Sequence, residues 1–172
     1  MKASLFFSGI LFICVGLVSC SVAAEPKMPS PDDVPQAFAR LSKLTGVWEG
    51  EKTEAGKVRK ISVQYRLTSN GSALVEKLME GTPHEMVSIY HPDGNNVVMT
   101  HYCSLHNQPR MKLKSATDKR FDFEFLDSTG IASDKEPHMH SLTITMLSDS
   151  KIKHEWRMYD KGKEAKVEVF EL

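Results

Sequence analysis

Ile61-Ser62-Val63-Gln64-Tyr65-Arg66-Leu67 is the stretch that decides the fold. Its apolar side chains occupy every second position, and the residues between them are polar. A period of two is typical of a β-strand with one buried face and one face in solvent. The same alternation returns in residues 121–125, 142–146 and 152–158. The pattern therefore predicts an all-β fold.

Short turn sequences separate the alternating stretches, among them Asn70-Gly71, Asp93-Gly94, Asp149-Ser150 and Lys161-Gly162. Such pairs favour tight hairpin loops, so strands that follow one another should pair in an antiparallel, up-and-down order. The predicted strands cover residues 47–53, 57–68, 72–80, 84–91, 95–103, 110–115, 119–126, 138–147, 151–160 and 164–172. Closing about ten strands on themselves removes exposed edges, and we therefore expect a single β-barrel.

A short helix is predicted before the first strand, over residues 33–44. Val34, Phe38, Leu41 and Leu44 recur at helical spacing and form one apolar stripe, and Gly46 is a stop signal. A helix with a single apolar stripe buries that stripe against one surface, so we expect this helix to cap an end of the barrel.

The first residues have the pattern of an export signal. Lys2 precedes the apolar run of residues 5–18, which is short for a bilayer span. Two processing patterns are open: a lipobox that ends at Cys20, which would be lipidated, or ordinary cleavage after residue 24. Residues 1–24 are thus predicted to be a signal peptide and 25–32, rich in proline, a linker. The barrel domain follows over residues 33–172, in an exported protein that is either an envelope lipoprotein or periplasmic or secreted.

The composition excludes some classes of partner. The 172 residues hold 22 Lys+Arg and 22 Asp+Glu, so no overall positive charge favours nucleic acid. Membrane contact is expected only through the possible lipid anchor. Cys103 is the sole cysteine of the barrel segment, which excludes a disulfide within that domain.

One motif carries a family resemblance. The run Leu44-Thr45-Gly46-Val47-Trp48-Glu49-Gly50 resembles the Gly-x-Trp start of lipocalin-like proteins, and residues 84–111 resemble bacterial lipocalin-like domains of unknown function. The resemblance covers residues 44–172 and extends distantly to the nitrobindin type. It implies a calycin-type barrel. The nitrobindin type implies haem bound through a histidine on a late strand, and His154 is the histidine of the last two strands.

Histidines are the candidate ligand-binding residues. His101, His140 and His154 keep step with apolar neighbours on their strands, which predicts that they face the interior, near Trp156 and Tyr65. The hairpin turn near Asp149 predicts that His140 and His154 lie level on adjacent strands. Together with His138, such imidazoles suit a metal or haem iron, but the stronger interpretation is that they are hydrogen-bonded polar residues on an apolar wall.

The segment of residues 104–110 is the second candidate site. Asn107, Gln108 and Arg110 could close over a barrel mouth and orient a polar ligand, or they could satisfy local backbone in a structured turn. No nucleophile elbow or phosphate loop is present in the sequence, and we assign no catalytic residue and no cofactor.

Three functions remain open from the sequence. The first is a module that binds a small, mostly apolar molecule in the lumen. The second is a haem or metal protein, or an enzyme, that uses the inward histidines. The third is a structural envelope barrel whose lumen is filled by Phe121, Phe123, Phe125, Trp48 and Trp156.

Overall fold

The computed structural model describes residues 34–172 apart from residue 55. The predicted signal peptide, the Cys20 lipidation site and the linker of residues 25–32 lie outside the described residues. No helix of the described part has the length and apolar character needed to cross a membrane.

The predicted all-β architecture is confirmed. Ten antiparallel strands follow one another in a single sheet, with β1 at one side and β10 at the other, and the sheet curls into a nearly closed barrel. The strands are β1 (Gly46–Glu54), β2 (Lys57–Thr68), β3 (Ala73–Leu78), β4 (Met86–Asp93), β5 (Asn96–Tyr102), β6 (Gln108–Ala116), β7 (Arg120–Thr129), β8 (His138–Ser148), β9 (Lys151–Asp160) and β10 (Lys163–Glu171).

The short helix before the barrel is also confirmed. Helix α1 (Val34–Leu41) continues into a 3-10 turn (Ser42–Leu44), and Phe38, Leu41 and Leu44 are buried in the barrel core. The indole of Trp48 fixes this arrangement, because its Nε1 donates a hydrogen bond of 2.7 Å to the carbonyl oxygen of Leu44. The helix therefore closes the end at which β1 begins.

The contact between β1 and β10, here called the seam, brings the two outermost strands together. Gly50 lies so close to the backbone of Glu171 that a Cβ atom at this position would overlap the carbonyl oxygen of Glu171. Lys52 and Glu168 form an ion pair across the same boundary. Glycine at residue 50 thus allows the close approach of the two strands.

The helix-covered half of the barrel is filled with side chains. Phe121, Tyr90 and Met99 are fully buried there, and Phe123 packs edge-on against Tyr90 with ring centroids 5.5 Å apart. The alternation read from the sequence places these residues on the inward face. These inward side chains form the packed part of the core at the helix end of the barrel.

Candidate functional site

A cavity of about 530 Å³ occupies the half of the barrel away from the helix. Its lining comes from the β1–β2 and β9–β10 hairpins and from the segments that join β3 to β4 and β5 to β6. In an up-and-down meander these connections all lie at one end, and the helix lies at the other. The cavity volume falls within the range usual for small-molecule sites.

The cavity wall is mostly apolar and rich in methionine. The apolar lining residues are Ile61, Leu78, Met79, Met86, Leu105, Met139, Met158 and Phe170. Methionine side chains are flexible and polarisable, so such a wall adapts to ligands of different shape.

His101 from β5 and Trp156 from β9 are the two polar residues of this wall that are almost completely buried. Their rings lie 4.5 Å apart between centroids, and only 1% and 2% of their surfaces are exposed. His101 Nδ1 is hydrogen-bonded to Ser88 Oγ at 3.0 Å. Among the described residues, His101 Nε2 and Trp156 Nε1 are buried atoms with no hydrogen-bond partner. The sequence prediction of an inward His101 beside Trp156 is confirmed.

Burial keeps the imidazole of His101 neutral. Loss of solvation lowers the pKa of His101 to about 4. A neutral imidazole offers at Nε2 either a donor or an acceptor, depending on the tautomer, whereas the Trp156 indole N–H is a donor only. The pair therefore carries hydrogen-bonding capacity that the described protein atoms do not use.

A second buried polar cluster lies deeper in the barrel and consists of Tyr65, His154, Glu76 and Tyr90. The hydroxyl of Tyr65 is 3.0 Å from His154 Nε2, and the hydroxyl of Tyr90 donates to Glu76 Oε2. His154 Nδ1 lies 3.8 Å from Glu76 Oε1. The inward positions predicted for Tyr65 and His154 are confirmed, but neither residue lines the cavity.

Burial sets the protonation of this cluster. Desolvation raises the pKa of Glu76 to about 7, against hydrogen bonds from Tyr90, Ser88 and Tyr65 that lower it. Desolvation also lowers the pKa of His154 to about 3. The cluster is thus built around a neutral imidazole and a carboxyl group that titrates near neutral pH.

The predicted pairing of His140 with His154 is wrong. The turn at Asp149 and Ser150 places Ile144, not His140, opposite His154, and a register shift between Met139 and Ser141 makes His140 an extra residue without a partner on β9. His140 is instead partly buried, with its ring stacked on Tyr159 at 3.7 Å between centroids and its Nδ1 3.0 Å from His138 Nε2. A bulge changes the face to which later or earlier side chains point, and parity alone does not reveal it.

The three polar residues predicted to orient a ligand at the mouth are each bonded to another residue of the barrel. Asn107 Nδ2 donates to the carbonyl oxygen of Pro137 at 2.8 Å, and Gln108 Oε1 accepts from Thr129 at 2.8 Å. Arg110 is exposed and forms a two-point ion pair with Asp127. None of the three lines the cavity. The neighbouring residues Cys103, Ser104 and Leu105 line it instead.

Charged residues surround the cavity entrance. Lys52, Arg59, Lys166 and Glu168 all belong to the lining, and three cations against one carboxylate leave a formal charge of +2. Glu168 bonds to both lysines, and these cations lower its pKa, although its partial burial has the opposite and larger single effect. Sequence patterns did not predict a role for these residues, nor for Glu76 and Ser88. The parity of Glu76 with Leu74 and Leu78 was the available signal.

The residues do not fit haem bound through His154. Its Nε2 is taken by Tyr65, its Nδ1 faces Glu76, and the ring is fully buried away from the cavity. Within the described part of the chain, no group of three or more His, Cys, Asp or Glu residues is arranged to hold a metal ion.

Comparison with known proteins adds no relative to this description. A scan of the sequence against protein-family models returns no match, and a search of curated proteins also returns none.

Proposed function

We propose that the barrel binds a small, mostly apolar molecule in the cavity at its open end. The observation that carries this proposal is the pair of unpartnered nitrogens, His101 Nε2 and Trp156 Nε1, on buried side chains of a mostly apolar cavity wall. Leaving a buried polar atom without a hydrogen bond costs about 1–3 kcal/mol. A ligand that supplies a hydrogen-bonding group at this point recovers that cost.

The cavity itself argues against a completely filled structural barrel. Phe121 and Phe123 fill the helix-covered half, and Trp156 forms part of the cavity wall. The apolar lining gives affinity through burial of the ligand surface, and the His101–Trp156 pair gives orientation. Small-molecule sites usually combine an apolar wall that gives affinity with a few polar groups that orient the ligand.

A neutral fluorescent probe tests the proposal. N-phenyl-1-naphthylamine is apolar and uncharged, and its fluorescence rises when it leaves water. We expect saturable one-to-one binding that is lost in Met158→Trp, because the larger side chain fills the cavity from its wall. Arg157→Trp adds the same group on the adjacent residue, which does not line the cavity, and should retain binding. A folded wild-type protein that does not bind the probe would overturn the proposal, as would equal binding by both variants.

The hydrogen-bonding pair has its own test. Trp156→Phe keeps an aromatic ring and removes the N–H donor. Binding of 1-naphthol, whose hydroxyl can accept from Trp156, should weaken about tenfold, which corresponds to a hydrogen bond of ordinary strength. Binding of naphthalene, which has no polar group, should change little.

We also propose, from residues 1–24 alone, that the protein acts outside the cytoplasm. Expression of the full chain in a bacterium, followed by cell fractionation and mass spectrometry of the mature N-terminus, tests this. A lipidated Cys20 at the N-terminus, lost in Cys20→Ala, identifies the anchored form. An N-terminus at residue 25 identifies the freely exported form, and a cytoplasmic protein that keeps Met1 contradicts both. The lipocalin-like resemblance stays a prediction.

A further inference from the structure

The cavity entrance contains two like charges in direct opposition. Lys52 on β1 and Arg59 on β2 are partners in the strand register, and both line the cavity. Like charges directly opposite each other on a sheet destabilise it. This sheet therefore places two cations side by side where a neutral pair would be more stable.

The available carboxylate does not balance this charge. Glu168 bonds to Lys52 and also to Lys166, so one carboxylate is shared between two ammonium groups. Among the side chains that the structure describes, Arg59 forms no ion pair. The apolar wall begins directly beside Arg59, at Ile61 on the same strand.

Resting on the binding function proposed above, we infer that the ligand is an amphipathic molecule with one anionic head group. Its carboxylate, sulfonate or phosphate lies at the entrance between Lys52 and Arg59, and its apolar body enters the methionine-rich cavity. Arg59 suits this role because a guanidinium can bind both oxygens of such a group at once. The low dielectric of the adjacent wall strengthens this ion pair relative to one in open solvent.

Two probes that differ by a single anionic group test the inference. Anilinonaphthalene sulfonate is the N-phenylnaphthylamine skeleton with one sulfonate added. We expect the wild-type protein to bind the sulfonated probe about tenfold more tightly than the neutral one, as a charge-assisted hydrogen bond provides. Raising the ionic strength to about 1 M, where the Debye length is about 3 Å, should reduce the preference.

Charge removal at the entrance should abolish the preference selectively. Arg59→Gln and the double variant Lys52→Gln/Arg59→Gln should lose the tenfold difference and keep the affinity for the neutral probe. Arg66→Gln is the matched control, because Arg66 lies on the same strand, is exposed and does not line the cavity. Urea unfolding confirms that each variant is folded, which matters because the sulfonated probe also binds partly unfolded chains.

Natural head groups are compared by displacement. Dodecanoate and dodecyl phosphate should displace the sulfonated probe from wild type, and dodecanol should do so about tenfold less well.

Sedimentation with phosphatidylglycerol vesicles distinguishes a free amphiphile from a lipid surface as the ligand. A protein that does not sediment with the vesicles supports the free ligand, and sedimentation of the protein that depends on Arg59 overturns it. If the neutral probe binds and the sulfonate brings no Arg59-dependent gain, the inference fails while the binding function stands. If the neutral probe does not bind, the binding function fails first.

Discussion

The two halves of the barrel use the same alternating strands for opposite purposes. Towards the helix, inward positions carry large side chains such as Phe121 and Tyr90, which pack together completely. Towards the other end, inward positions carry methionines and the His101–Trp156 pair, which leave about 530 Å³ open. Stability is therefore concentrated in one half and adaptability in the other. This separation lets the lining of the cavity vary without loss of the fold.

The largest expected effect tests this separation directly. Phe121→Ala should lower the free energy of unfolding by about 3–5 kcal/mol, because it leaves a void among fully buried neighbours. Met158→Ala in the cavity wall should cost about 1 kcal/mol, since the half-buried side chain already faces open space. Urea unfolding followed by circular dichroism measures both. Equal losses would mean that the open half also carries the core.

The contrast between the halves also shows what the sequence predicts and what it does not. Period-two alternation is a local signal, and it predicted the ten strands and an inward His101 and His154. The bulge between Met139 and Ser141 inserts one residue into β8 where only β9 pairs with it, and the regular alternation of the sequence does not reveal it.

The cavity could not be predicted for a related reason. Whether inward side chains fill a barrel depends on their summed volume across all ten strands, not on the pattern within one strand. The pair of charges at the entrance could have been predicted from the sequence, because the turn after Glu54 places Lys52 opposite Arg59. The polar composition of residues 104–110 predicted a binding site. Contacts such as the hydrogen bond from Asn107 to Pro137 show that these residues have a structural role instead.

The second prediction concerns the buried carboxyl group that lies between the two halves. Burial raises the pKa of Glu76 from 4.5 to about 7. Below pH 4.5 the folded and unfolded chains both hold the proton, and its full contribution to stability is present. As the pH rises to 7, only the unfolded chain ionises, so the folded state loses stability until its own pKa is passed.

Glu76→Gln stays neutral at every pH and should not show this loss. The stability of the variant relative to wild type should rise by about 3 kcal/mol between pH 4.5 and pH 8, at 1.36 kcal/mol per pKa unit. His101 and His154 are present in both proteins, so the difference between the two curves isolates the carboxyl group. Urea unfolding at a series of pH values measures it, and a difference that is constant with pH would show that Glu76 titrates normally.

The third prediction concerns the seam, where both halves depend on the approach of β1 to β10. Gly50→Ala should cost about 1–3 kcal/mol, because the added Cβ overlaps the backbone of Glu171 and forces the strands apart. Glu51→Ala, the exposed neighbour on the same strand, is the control and should change stability little. Loss of probe binding in Gly50→Ala with retained fold would show that the seam also shapes the cavity, whereas an unchanged free energy of unfolding would mean that the strands separate without strain.

The smallest effect is expected outside the cavity, at the ion pair between Arg110 and Asp127. Both side chains are about half exposed, so solvent screens their attraction. Arg110→Gln should lower the free energy of unfolding by only about 0.2–1 kcal/mol, and a double-mutant cycle with Asp127→Asn isolates the contribution of the pair. The sharper measurement is probe binding, which this substitution should leave unchanged, because Arg110 does not contact the cavity. A tenfold weaker affinity for either naphthylamine probe would restore the mouth-loop site that the sequence predicted, and it would mean that this loop moves over the entrance when a ligand binds.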